Sequence, residues 1–269
     1  MIYKVQGAPL YAYTGGKEFD ASKPTAVFIH GVLNDHSVWI LQTRYFANHG
    51  WNVLAIDLPG HGRSGGKAPT TVQEAAQSVI ALLDAAGVDK AILMGHSLGS
   101  LIAMQAAAEH PTRVAQLVMV GTAYPMRVSP ALLENSISNP SKAIDMVNVF
   151  SHSTLAPPPS ALGPGTWLLG GSKALMRRVL ASNPHENIFN IGFKACDQYD
   201  QGETAITQVM CPTLFLLAKK DQMTPPKAAQ SLIQKARDGH VAWVNAGHQM
   251  MVEAPEECLA AMLAFCKKS

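Results

Sequence analysis

The sequence predicts an α/β fold: a mostly parallel, eight-stranded sheet flanked by helices. Three observations predict it. Eight short, largely apolar runs are spaced along 269 residues, and segments with helical spacing separate most of them. Strands that alternate with helices form βαβ units, whose crossovers leave successive strands parallel. The middle of the chain breaks this rhythm and the alternation then resumes. The expected organisation is a core from residues 1–121 and 208–269, with a mainly helical insertion, a cap or lid, at 122–207.

Taken in order, Ile2–Val5 and residues 10–14 read as an opening hairpin around the turn signal Gly7-Ala8-Pro9. Thr25–Ile29 and Asn52–Ile56 are mostly apolar without alternation, as expected of strands buried on both faces. A helix is expected over 38–49, stopping at Gly50. Between 71 and 86, Val72, Ala75, Ala76, Val79, Ile80, Leu82 and Leu83 fall on a helical period, closed by Gly87. A strand at 90–94, a helix at 98–110 and a strand at Val114–Val120 follow. The insertion carries helical stretches at 129–138, 141–150 and 173–181. It is punctuated by Pro157-Pro158-Pro159, Gly163-Pro164-Gly165 and Gly170-Gly171. Thr213–Ala218 and 240–244 then read as strands, and 225–236 and about 250–267 as helices. Long excursions inside compact domains commonly carry function, so the insertion is read as a lid over the carboxyl edge of the sheet.

Composition narrows the function classes. The chain is 48% hydrophobic and 15% charged, which suits a globule with a large buried core. Its net charge is only +2 and its basic residues cluster no further than pairs, so no nucleic-acid partner is expected. No apolar run approaches the length of a membrane span. Met1-Ile2-Tyr3-Lys4-Val5 lacks a basic segment followed by an apolar one, so no secretory signal is expected and the expected compartment is the cytoplasm. Cys196, Cys211, Cys258 and Cys266 form no CxxC pair and read as thiols in a reducing environment. The histidines lack metal-site spacing, and the glycine-rich stretches lack both the Walker lysine and the GxGxxG pattern. No metal and no cofactor is expected.

One stretch carries chemistry. Gly95-His96-Ser97-Leu98-Gly99 joins a buried strand to an apolar-periodic helix, which places Ser97 on a sharp turn at the helix N-terminus. A serine hydroxyl needs a base within hydrogen-bond reach. His248 follows the 240–244 strand, so it stands at the same carboxyl edge as Ser97, where ligands bind in open α/β sheets. Asp221 follows Thr213–Ala218 at that edge and can orient the base; its competing reading is a turn residue capping the helix near Pro225. The N–H of Leu98, next to Ser97, is one candidate oxyanion donor. The N–H of Val32, in the loop His30-Gly31-Val32-Leu33-Asn34-Asp35, is the other, with Leu33 as second choice. Asp57, His61 and Arg63 look catalytic but read as structural, and His30 as an orienting residue.

On His30-Gly31, the stretch Asp57-Leu58-Pro59-Gly60-His61-Gly62-Arg63-Ser64, Gly95-His96-Ser97-Leu98-Gly99, Asp221 and Gly247-His248, the chain resembles the α/β-hydrolase superfamily over essentially its whole length. The resemblance implies a Ser97–His248–Asp221 triad, a helical cap after the sixth strand and a two-step acyl-enzyme mechanism. The expected function is hydrolysis of small to medium apolar carboxylic esters. Hydrolysis of C–C bonds in aromatic degradation and a hydrolase-like ligand receptor with little turnover stay open as alternatives. Serine at 97 weighs against the branches that employ an aspartate nucleophile. Monomer and dimer are both open.

Overall fold

The strands are β1 (Ile2–Val5), β2 (Ala8–Tyr13), β3 (Thr25–Ile29), β4 (Asn52–Ile56), β5 (Ala91–His96), β6 (Val114–Val120), β7 (Thr213–Ala218) and β8 (Gly239–Val244). In the computed structural model, which describes residues 1–20, 22–153 and 167–266, they form one sheet ordered β1-β2-β4-β3-β5-β6-β7-β8. β1 and β2 pair antiparallel, β2 joins β4 antiparallel, and every later neighbour is parallel. The opening turn is tighter than expected. Gln6 (φ 49°) and Gly7 (φ 86°) form a two-residue turn with both residues left-handed, so β2 begins at Ala8 and Ala8-Pro9 belongs to the strand.

Alternation across the pleat divides the core in two. Val27 and Ile29, Leu54 and Ile56, and Leu117 and Met119 share one face with the apolar residues of α2 (Val72–Ala85) and α3 (Leu98–Glu109). Ala26 and Phe28, Val53 and Ala55, and Val118 and Val120 share the other with Phe46 of α1 (Ile40–Asn48) and Met262 of α11 (Pro255–Cys266). Burying each such large side chain contributes roughly 1.5–3 kcal/mol. α3 is apolar or small nearly all round because it is buried nearly all round. The sheet covers one side of it, and α2 and α8 (Gly202–Gln208) pack on the rest.

Between β6 and β7 lie α4 (Pro130–Ser138), α5 (Pro140–Ser151), α6 (Leu168–Ser182) and α7 (Ile188–Gln198), followed by α8. Leu132, Ile144, Val147, Met176, Val179 and Phe189 form their own apolar cluster. α8 packs on α3 and on α9 (Gln230–Lys235) instead. α6 runs through Gly170-Gly171, which do not break it; a Cβ at Gly170 would collide with the Trp167 ring. The Pro157-Pro158-Pro159 and Gly163-Pro164-Gly165 runs lie outside the described residues. The expected helix at 225–236 is a 3-10 turn (Pro226–Ala229) followed by α9. The closing helix is cut into α10 (Met250–Glu253) and α11, because Pro255 has no N–H to continue the ladder.

Polar contacts tie α5–α7 to the loops below. Arg178 pairs with Asp35 at 2.6 Å, Ser182 Oγ accepts from Gly62 N at 3.0 Å, and Glu186 Oε2 accepts from Ala68 N at 2.9 Å. Near His248, Ser151 O accepts from Gln249 N at 3.0 Å and Glu253 Oε1 from Ser153 N at 2.7 Å. Among the described residues, no helix is long and apolar enough to cross a membrane.

Candidate active site

Ser97 stands between the end of β5 and the first residue of α3, with φ 54° and ψ −120°. A non-glycine residue in that region costs about 1–3 kcal/mol and persists only when its surroundings impose it. Here they do. Ser97 N donates to Val120 O at 2.9 Å, and Ser97 O accepts from Ser100 N at 2.8 Å and from Ser100 Oγ at 2.6 Å. A Cβ at Gly95 would collide with the Gly99 carbonyl, and one at Gly99 with the carbonyl of Ile29. Strand and helix can therefore approach closely only with glycine at both positions. Gly95→Ala is expected to destabilise the fold by about 3 kcal/mol, at the top of the range for overpacked cores. A urea midpoint equal to wild type would refute that account of the turn.

The other two residues arrive from neighbouring strands. Asp221 follows β7 and His248 follows β8, and both are buried. His248 Nδ1 lies 2.8 Å from Asp221 Oδ2. The carboxylate accepts, so the ring carries its proton on Nδ1 and leaves Nε2 bare. Asp221 is held at both oxygens: Oδ1 accepts from Met223 N at 2.9 Å and Thr224 N at 2.8 Å, and Oδ2 lies 2.8 Å from Thr224 Oγ1. Asp221 thus braces its own turn through Oδ1 and faces His248 through Oδ2, but it does not cap the helix near Pro225, which has no side-chain cap. Burial alone would raise the Asp221 carboxyl. The adjacent His248 and the Thr224 hydrogen bonds outweigh it, and the pKa falls below the usual carboxylate value.

Thr224 is a site residue that the motif reading misses. Its Oγ1 lies 2.9 Å from Gly121 O and 3.0 Å from His248 Nδ1, besides its contact with Asp221. It has one proton to give, so it donates to Gly121 O or to Asp221 while sharing the His248 Nδ1–H as an acceptor. The available signal is Asp221-Gln222-Met223-Thr224, a hydroxyl three residues after a turn aspartate. Thr224→Val keeps the shape and is expected to lower kcat about tenfold, the equivalent of one hydrogen bond. Steady-state kinetics with unchanged kcat would remove Thr224 from the site.

Val32 lines the same two cavities as Ser97, and Leu98 follows Ser97 in the chain. Leu98 is the first residue of α3. Asn34 N donates to Gly31 O at 3.3 Å, closing a turn with Leu33 at φ 53°. That conformation favours glycine at the third turn position, and Leu33 tolerates it because its side chain is locked into the α4–α7 cluster. Among the described residues, no acceptor engages the N–H of Val32 or of Leu98. Gly31 lets this loop close in: a Cβ there would stand 3.1 Å from Ser97 Cβ.

Two cavities meet at Ser97. One, of about 280 Å³, is walled by Met126, Leu132, Met146, Phe150 and Phe193. The other, of about 20 Å³, includes His248, His96 and Gly31 in its walls. Cys196 lines the larger one, but burial pushes its thiol up to about 12, so it stays uncharged.

The Asp57 region serves the scaffold. Asp57 accepts from His36 N at 2.8 Å, His36 Nδ1 at 2.7 Å and Arg63 N at 2.9 Å. With Asp35 these groups bring potential metal-ligand atoms within 4.8 Å, yet protein donors already engage them. His30 Nδ1 lies 2.8 Å from Gly31 O and its Nε2 accepts from Leu58 N at 3.1 Å, so it braces two loops.

A parallel sheet with a glycine-flanked serine turn at one strand end and an Asp–His pair at two others is the layout of an α/β hydrolase. Residues 26–261 match the alpha/beta hydrolase family, and the chain belongs to that family. Over 111 residues it is 36% identical to the dihydrolipoyllysine-residue acetyltransferase component of the acetoin cleaving system of Cupriavidus necator, covering 41% of this chain and 28% of that protein. Over 108 residues it is 35% identical to lipase LipV of Mycobacterium tuberculosis, covering 40% of this chain and 41% of that one. The chain thus matches less than half the length of either relative. The esterase EaEST from Exiguobacterium antarcticum shares the fold, with a TM-score of 0.83 over 99% of this chain and 98% of that one at 17% identity.

Proposed function

We propose that this protein is a serine hydrolase of small to medium apolar carboxylic esters, with Ser97, His248 and Asp221 as its triad. The observation that carries the reading is the His248–Asp221 pair at 2.8 Å, buried beside a serine that opens into an apolar cavity. His248 Nε2 takes the proton of Ser97 Oγ as that oxygen attacks the ester carbonyl. The N–H groups of Val32 and Leu98 receive the oxyanion, each such donor contributing about 3 kcal/mol to the transition state. His248 then protonates the departing alkoxide, the ester C–O bond breaks, and the acyl group remains on Ser97 until water removes it. A cavity of about 280 Å³ sits near the low end for ligand sites, which supports a short or medium acyl or alcohol group. α4–α7 act as the lid that walls this cavity.

The test is turnover of p-nitrophenyl esters of increasing acyl length, counted per active site. Many turnovers with an optimum at short or medium length are expected. At most one turnover on every ester would overturn the reading and favour a receptor or a hydrolase of another bond.

A further inference from the structure

Beyond the apolar cavity, three polar atoms at the second cavity have no role in the chemistry described so far. The cavity of about 20 Å³ is lined by Ser97 and His248, and also by Asn34, His96 and Ser151. Each of the latter three is at least nine-tenths buried. Each carries a buried polar atom without a partner among the described residues: Asn34 Oδ1, His96 Nδ1 and Ser151 Oγ. An unpartnered buried polar atom costs roughly 1–3 kcal/mol, so three around one cavity call for an occupant. The space suffices for a water, which needs about 10–15 Å³ of the cavity's roughly 20 Å³.

The polarity of the walls decides its chemistry. His96 Nε2 donates to His248 O at 3.0 Å, which leaves Nδ1 as a bare acceptor. Burial, with His248 beside it, lowers the His96 pKa to about 3, so this nitrogen stays an acceptor at any neutral pH. Asn34 Nδ2 donates to Val32 O at 3.3 Å, which turns Oδ1 to the remaining direction. Only a hydrogen at Gly31 keeps His96 Nδ1 uncovered, since a Cβ there would stand 3.2 Å from it. Two bare acceptors and a hydroxyl suit a small O–H donor such as water.

We infer that Asn34, His96 and Ser151 form a dedicated site for the water that deacylates Ser97. One O–H of the water is anchored on the acceptors and the other is left for His248. The water oxygen attacks the acyl carbonyl carbon while His248 Nε2 takes its proton. The bond from that carbon to Ser97 Oγ then breaks, the proton passes from His248 to Oγ, and the free acid leaves. Asn34, His96 and Ser151 are positioning residues in this step. The inference rests on the ester-hydrolase reading above.

Ser151 is the residue to change, because its hydroxyl is the partnerless atom while its backbone carbonyl already holds Gln249. Ser151→Ala removes the hydroxyl and enlarges the cavity; Ser151→Thr keeps a hydroxyl and fills the cavity with a methyl. With p-nitrophenyl acetate, both variants are expected to acylate at the wild-type rate and deacylate about tenfold more slowly. Intact-protein mass spectrometry then finds a larger fraction of acetylated enzyme at steady state. With methanol added, Ser151→Ala is expected to yield a higher ratio of methyl acetate to acetate than wild type does. Wild-type levels of acyl-enzyme in both variants, with an unchanged product ratio, overturn the water site and leave the esterase standing. Wild-type protein that neither carries an acetyl group nor releases acetate overturns the esterase reading, and this one with it.

Discussion

Ser97→Ala is expected to lower kcat by about 10⁶-fold on any ester that the wild type turns over, the scale seen when a serine protease loses its nucleophile. The size follows from what remains. The apolar cavity and the His248–Asp221 pair remain, but no covalent intermediate can form, and water must replace the serine as nucleophile. KM is expected to move little, because the methylene and hydroxyl of Ser97 supply a small part of a cavity of about 280 Å³. The fold should tolerate the change, since alanine meets no new contact and the turn is held by the main chain of Ser97 through Val120 and Ser100. Turnover numbers by spectrophotometry, on mutant protein whose mass is verified, decide the matter. Multiple turnover within a factor of about ten of wild type would remove Ser97 as the nucleophile.

Asp221→Asn is expected to lower kcat by roughly 10⁴-fold, as seen when the triad aspartate of a serine protease becomes an amide. The hydrogen bonds of this site say why the effect should be so large. Met223 N and Thr224 N both donate to Oδ1, so an asparagine must keep its carbonyl oxygen there. Its NH₂ group then occupies the place of Oδ2, 2.8 Å from His248 Nδ1. A donor at that position makes Nδ1 an acceptor and moves the ring proton to Nε2, the nitrogen that must accept from Ser97. The base is lost without any atom moving far. Retention of kcat within tenfold of wild type would show that Asp221 only caps its turn.

The Asp221 carboxyl also links stability to pH. Its pKa is lower folded than unfolded, so the stabilisation it contributes is present above the ordinary carboxylate value and fades as pH falls through the lowered one. The sign follows from proton counting, since the unfolded state binds the extra proton first.

Most of the sheet is legible in the sequence because its signals are local. β3, β4, β6 and β7 are apolar runs buried on both faces, bounded by turn residues, and their limits agree with expectation. The turn at Ser97 is legible for the same reason: glycine at 95 and 99 is a steric need of five consecutive residues. Glycine was a poorer guide elsewhere. Gly170-Gly171 read as a break, yet fifteen residues of α6 carry the helix across them. α7 and α8 escaped specific notice because short helices owe their stability to the surfaces they pack on.

By itself, the order of residues determined the fold class, the strand-end positions of Ser97, Asp221 and His248, and the loop that brings Val32 toward Ser97. Each of these depends on periodicity, turn chemistry and chain order, which act over a few residues at a time. Tertiary structure alone decided the rest. Thr224 joins Asp221, Gly121 and His248 because β6, β7 and β8 lie side by side. Leu33 holds a left-handed backbone because a distant helical cluster grips its side chain. Asn34, His96 and Ser151 meet at one cavity from three separate segments, and only the packed chain buries their polar atoms there without a partner among the described residues.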